Sequence, residues 1–321
     1  MARRPLAKLM MTTVAHRHFI GRQTKSDIAE SLGISRFKVA RLIEEAIASG
    51  VVRFAIAELD EYDTDLAEAL SRHFGLRHAV VVRAPDSTSW QVTEALGRAA
   101  AALLEETLVD GQTVAVAWGR TLAACAQALT KLPSVDVVQA IGSMAGGEYL
   151  QSSVELVYRL AALSRGQAYP VYLPMWLEDP GLIERLRNEP SIARATARFA
   201  HIDVLVSGIG AWNPPQSALF TTLPLAWQEQ AQAAGTCADL CSVLLDAGGE
   251  PVATPLTASL VGMTGEQIRA APTVIGVAGG IEKAEAIRAV LRGRWLTTLI
   301  TDASVAHRLL QDRSNERKLL T

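Results

Sequence analysis

Leu6, Leu9, Met10 and Val14 recur at helical spacing, and Pro5 suits the first turn of the helix they predict. Two shorter helical patterns follow. Thr24 precedes Ile28, Ala29 and Leu32, and Ser35 precedes Val39, Leu42, Ile43 and Ala46. A hydroxyl ahead of an apolar stripe is a helix cap, because its oxygen accepts an N–H that has no partner inside the helix. Gly33 separates the two patterns, and a tight inter-helix turn needs the positive φ that glycine adopts freely. Residues 50–56 (Gly-Val-Val-Arg-Phe-Ala-Ile) then read as a short strand.

Past a polar stretch at 60–65 the pattern changes. Leu66, Leu70 and Phe74 continue at helical spacing, and 79–82 read as a strand. Short, nearly continuous apolar runs then appear at 113–118, 135–141, 168–173, 203–208, 273–278 and 296–301. Such runs suit strands covered on both faces, as in a parallel sheet. Helical patterns at 122–129, 154–163 and 284–291 fall between them. The alternation predicts an α/β fold with a doubly wound parallel sheet. Gly248-Gly249 after the run 240–246 suggests a local hairpin. The predicted division is a head at 1–57 and a larger body at 58–321.

Composition narrows the class. Of 321 residues, 49% are hydrophobic and 20% charged, which is globular and long enough for two domains. Three cysteines (Cys125, Cys237, Cys241) cannot build a disulfide framework, so a reducing compartment is expected. Cys237 and Cys241 lack a nearby His/Cys pair to complete a tetrahedral site, so neither metal nor cofactor is expected. The longest uncharged stretch, 204–228, contains Asn213, Pro214, Pro215 and Pro224, which would break a membrane-spanning helix. The basic start has no apolar signal core behind it, so a soluble, cytoplasmic protein is expected.

Charge is unevenly placed. Residues 1–57 carry ten Lys/Arg against four acids, net +6, while 58–321 hold 21 bases and 29 acids, net −8. A basic head on an acidic body suggests a polyanionic partner for the head. Within it, Ala29, Gly33 and Val39 have the spacing of a helix-turn-helix, and Arg36, Lys38 and Arg41 lie off the apolar stripe of the second helix. That helix is expected to enter the DNA major groove. Ser35, Arg36, Phe37 and Arg41 are the candidates for base edges; Thr24, Lys25 and Lys38 are those for phosphates. The strand at 50–56 would make the head a winged variant.

In an open α/β sheet the ligand crevice lies beyond the carboxyl ends of the strands. Four glycine-bearing segments stand there: Gly119-Arg120-Thr121, residues 142–147, residues 208–213 and residues 279–283, the last ending in Lys283. Backbone N–H groups, the Thr121 hydroxyl and the Lys283 ammonium suit an anion. They predict a small phosphorylated ligand, with Gly142, Gly208 and Gly210 shaping the pocket.

The order of these motifs resembles the SorC family of sugar-responsive bacterial transcription regulators. The residues concerned are the helix-turn-helix at 24–43, Trp118-Gly-Arg-Thr-Leu122, Gln139-Ala-Ile-Gly-Ser143, Cys237-Ala-Asp-Leu240, Ala278-Gly-Gly-Ile-Glu-Lys-Ala284 and Leu299-Ile-Thr-Asp302. The resemblance implies an effector domain similar to the sugar-phosphate isomerase and deaminase sheet, binding a sugar phosphate or related polyol, and dimers or tetramers on operator DNA. It implies Gly119, Arg120 and Thr121 at a phosphate loop, Asp239 toward sugar hydroxyls and Lys283 against effector charge. The 142–147 loop carries no cation here, which argues against a bisphosphate or an imine-linked effector.

Other readings of these residues stay open at this point. Asp302 reads as a helix N-cap, Asp239 as a cap or turn residue, Lys283 as a solvated helix-start residue, and Trp118 and Trp212 as wall or core. The rival function is a sugar-phosphate isomerase or deaminase with an accessory head. Similar enzymes carry an acid and a histidine in the loop where this chain has Gly-Ala-Trp-Asn-Pro-Pro at 210–215. General acid–base catalysis needs such groups, so a regulator and not an enzyme is expected.

Overall fold

The computed structural model describes residues 5–53, 61–84, 88–143 and 153–311. The chain divides into two compact units, Met1–Glu58 and Leu59–Thr321. The 57/58 boundary drawn from the sequence falls outside the described residues.

The first unit holds helices α1 (Pro5–Phe19), α2 (Lys25–Leu32) and α3 (Arg36–Ala48). Thr24 and Asp27 form a capping box on α2: the Thr24 hydroxyl accepts the Asp27 N–H at 3.2 Å, and the Asp27 carboxylate accepts the Thr24 N–H at 3.2 Å. Gly33, at φ 62°, ends α2 and donates its N–H to the carbonyls of Ala29 and Glu30. Ser35 starts α3 by accepting the Lys38 N–H at 3.2 Å.

Ile28, Ala29, Val39, Leu42, Ile43 and Ala46 form a core with Met11, Val14 and Ala15 of α1. The sequence reading chose the wrong stripe of α1 in part. Leu9 is 63% exposed and Met10 lies on the same outer side, while Met11 and Ala15 are buried. Adjacent stripes of α1 are both apolar, and only packing against the other two helices selects between them. Val51 and Val52 form a bend packed on this core rather than the start of a strand, and the remainder of the predicted wing lies outside the described residues.

The second unit begins with α4 (Thr64–Phe74), β1 (His78–Val82), α5 (Ser89–Thr107), β2 (Thr113–Val116), α6 (Arg120–Ala128) and β3 (Asp136–Gln139). It continues through α7 (Ser153–Ser164), β4 (Ala168–Tyr169), α8 (Pro180–Arg187), α9 (Pro190–Thr196), β5 (Val204–Ala211), α10 (Ala218–Thr222) and α11 (Leu225–Ala233). A hairpin of β6 (Ala238–Leu240) and β7 (Val243–Leu245) follows, then α12 (Pro255–Ser259), α13 (Gly265–Ala270), β8 (Thr273–Val277), α14 (Ala284–Arg292), β9 (Thr298–Asp302) and α15 (Ala303–Gln311). The main sheet runs β1-β9-β8-β5-β2-β3-β4, every pair parallel. Strand order reverses between β2 and β5, which places the crevice of this α/β sheet at their carboxyl ends. Among the described residues, no helix is long and apolar enough to cross a membrane.

Strand boundaries depart from the sequence reading by a residue or two at several ends, and more tellingly at three places. β5 does not stop at 208; it runs on to Ala211, where its last residues pair antiparallel with β6. β4 is two residues long because Pro170 cannot donate to the ladder, and the Val171 N–H turns instead to the Gln139 side chain at 3.0 Å. The run 240–246 is not one strand, since Cys241 takes a left-handed φ of 52° and turns β6 into β7. The hairpin inferred at Gly248-Gly249 is present as a second turn, closed by a bridge between Leu245 and Pro251.

Candidate functional site

A cavity of about 520 Å³ opens at the carboxyl ends of β2, β5, β8 and β9. It sits where the strand order reverses. One wall is the start of α6: Gly119 precedes the helix and no side chain caps its first turn, while Arg120 and Thr121 line the cavity. The unpaired N–H groups of a helix start carry partial positive charge. The exposed Arg120 adds a full charge, with its Nη2 donating to Gln216 Oε1 at 3.4 Å.

Lys283 enters from the opposite wall, on a 3-10 turn (Ile281–Lys283) after β8. It is not a solvated helix-start residue. Its Nζ donates to the Ile209 carbonyl of β5 at 2.7 Å, and the side chain is half-buried. Burial pushes its ammonium down to about 8, with Asp239 opposing the shift and Arg120 adding to it. A cation is costly to bury, and that cost is what lowers the Lys283 ammonium.

Asp239 is neither a cap nor a turn residue. It lies within β6 opposite Gly210 of β5, and only 8% of it is exposed. Its Oδ1 accepts the Trp212 indole N–H at 2.8 Å and the Ser217 hydroxyl. Burial pushes the carboxyl above its ordinary value, opposed by Ser217, Trp212 and Lys283. Gly210 makes this possible, because a Cβ there would stand 2.2 Å from Asp239 Oδ1.

Gly208 and Gly210 both line the cavity, but from within a strand and not from a loop after one. Trp118 is a wall residue, whereas Trp212 is fully buried in the core and does not line the cavity. Gly142 is also displaced from the expected site. Its N–H donates to the Val261 carbonyl at 2.8 Å, and a Cβ would meet the Pro174 carbonyl oxygen at 2.3 Å. Close backbone approach explains this glycine, and the cavity is lined by Ile141 instead. Residues 144–147 of that predicted loop lie outside the described residues.

Asp302 is an N-cap, as the sequence suggested, and more. Its Oδ1 accepts the N–H groups of Ser304 at 2.9 Å and Val305 at 3.2 Å, while Oδ2 accepts the Gly280 N–H at 2.7 Å. Sequence reasoning missed Ser207 and Cys241, which meet in the cavity wall with the Cys241 thiol donating to Ser207 Oγ at 3.4 Å. Burial pushes that thiol up to about 12. A serine inside the apolar run 203–208 was the available signal. Ser89 and Thr93, contributed by α5, had none.

In the first unit, Arg36, Phe37, Lys38 and Arg41 are exposed on α3, and Lys25 is half-buried on α2. The Thr24 and Ser35 hydroxyls each accept a capping N–H, which uses one lone pair of an oxygen that has a second lone pair and an O–H to donate. Arg41 stands 3.8 Å from Glu45, one turn on and largely in solvent.

The sugar-binding domain family (Sugar-bind) matches residues 61–311. The transcriptional regulator LsrR of Enterobacter sp. is 32% identical over 292 residues, 89% of this chain and 88% of that protein. The deoxyribonucleoside regulator of Bacillus subtilis is 29% identical over 305 residues, 90% of this chain and 93% of that protein. Among solved structures, the full-length sorbitol operon regulator SorC from Klebsiella pneumoniae shares the fold, with TM-score 0.71 and 24% identity over 96% of this chain and 100% of that one.

Proposed function

This chain belongs to the SorC-type family of transcriptional regulators built around the sugar-binding domain, and on that premise we propose that it is a DNA-binding regulator of carbohydrate or polyol metabolism whose hold on operator DNA responds to a small phosphorylated sugar. The observation that carries the effector reading is the pairing, in one cavity, of the uncapped α6 start with Lys283 on the opposite wall. A phosphate takes the N–H groups at Gly119–Thr121 and the Thr121 hydroxyl, with Arg120 beside it. Lys283 meets remaining negative charge, Gly208 leaves the backbone accessible, and Asp239 offers Oδ2 to a sugar hydroxyl.

The basic first unit binds the operator. The first turns of α3 enter the major groove, and two copies on paired half-sites supply the area that one small head lacks. The working form is therefore a homodimer or homotetramer, acting in the cytoplasm where operator DNA lies. Enzymatic turnover is the weaker reading. Asp239 and Asp302 are engaged in the fold's own hydrogen bonds, the Cys241 thiol is held protonated, and 210–215 lack an acid and a histidine.

The test is a thermal-shift screen against sugar phosphates and polyols, followed by operator titration with each ligand that raises the melting temperature. A phosphosugar that both stabilises the protein and changes its operator affinity meets the reading. Steady consumption of that ligand would instead favour the enzyme.

A further inference from the structure

We propose that Phe37 selects DNA sequence through apolar contact with the 5-methyl group of a thymine in the major groove. The inference rests on the DNA-binding reading of the first unit. Phe37 is the second residue of α3 and 89% exposed. A lone exposed ring is ordinary on a protein surface; the setting of this one is not. Val39, Leu42, Ile43 and Ala46 give one face of α3 to the core. At about 100° per residue, Phe37 and Arg41 stand together on the opposite face. Arg36 and Lys38 flank the ring, both exposed, and the first turn of α3 carries no acid.

Residues early on a recognition helix reach base edges. Arg36, Lys38 and Arg41 have donors for guanine or for phosphate. A phenyl ring has neither donor nor acceptor, so it cannot read the polar pattern of the groove. The apolar group that the major-groove edge presents is the thymine methyl. Phe37 therefore favours a thymine over the other bases at the position it faces, while Lys38 holds the backbone and Arg36 reads a neighbouring base.

The experiment starts from duplexes that the full-length chain selects out of a random pool, with each thymine replaced in turn by deoxyuridine, which lacks only the methyl. At one thymine per half-site the wild type is expected to lose about fourfold in affinity, the worth of one buried methyl. Phe37→Ala is expected to bind the thymine duplex more weakly and to treat thymine and deoxyuridine alike at that position. Phe37→Leu, still apolar, is expected to keep the distinction. Because the ring is exposed, the variants should match the wild type in circular dichroism. Indifference of the wild type to every replacement, or the same deoxyuridine penalty in Phe37→Ala, overturns the assignment. So does a Phe37→Ala variant that changes only the oligomeric state, which would make the ring a contact between copies. Failure to select any duplex takes down the DNA-binding reading itself, and Phe37 with it.

Discussion

Asp302 and Gly280 are joined by a 2.7 Å hydrogen bond in which the Gly280 N–H donates to carboxylate Oδ2. The other oxygen caps α15. One side chain thus fixes both the start of a helix and the turn that delivers Lys283 to the cavity. Asp302 is also the register partner of Val82 in β1, and Val82 bridges Tyr62, close to where the chain enters the second unit.

Replacing Asp302 by Ala removes the cap and leaves the Gly280 N–H without its partner. The expected cost is about 1–3 kcal/mol of stability, with a weakened effector response because Lys283 loses its support. Urea denaturation monitored by circular dichroism measures the first and operator titration the second. Unchanged midpoints would remove Asp302 from this role.

Lys283 carries a pH signature. Its folded-state value, lowered to about 8 from 10.5, means that the unfolded chain binds the proton more tightly. Burying its charge thus costs stability in full below about 8, and that cost fades as pH rises toward 10.5, where the amine is neutral in both states. Affinity for an anionic effector runs the other way, falling as pH rises through about 8 and the charge is lost. Lys283→Arg is expected to abolish that fall, since guanidinium stays charged. Isothermal titration between pH 7 and 9 checks both proteins; an identical slope in the two would show that Lys283 does not meet the ligand.

Gly210→Ala places a methyl against Asp239 Oδ1. Overpacking of about 1–3 kcal/mol is expected, together with loss of the Trp212–Asp239 bond. A lowered melting temperature and a shift in tryptophan emission are the observables.

On the DNA side, Lys38→Ala is expected to weaken binding to all sequences and to reduce the slope of log affinity against log salt by about one unit. Arg36→Ala is expected to cost about 1–3 kcal/mol and to relax specificity at one position. Fluorescence anisotropy over a salt series distinguishes them, because only a phosphate contact changes the slope without changing sequence preference.

Paired heads predict two half-sites about 34 Å apart, one helical turn. Footprinting on a selected operator and light scattering of the free protein test this. A monomer that binds one half-site tightly would contradict it.

Local pattern and chain chemistry determined a good deal by themselves. The caps Thr24 and Ser35, the turn at Gly33, the parallel α/β alternation and the glycine turns ahead of Thr121 and Lys283 were all legible, because periodicity, hydroxyl caps and glycine turns act over a few residues. Tertiary structure decided the rest. It chose Met11 and Ala15 over Leu9 and Met10, since two apolar stripes on one helix are equivalent until a neighbour packs on one. It carried β5 past Gly208, because a strand lasts as long as it finds a partner, and β6 lies some thirty residues away in sequence. It also gave Gly142 to backbone packing, Trp212 to the core and Asp239 to a buried hydrogen-bond pair. Those roles depend on contacts between segments distant along the chain, and a sequence shows which groups exist without showing which of them meet.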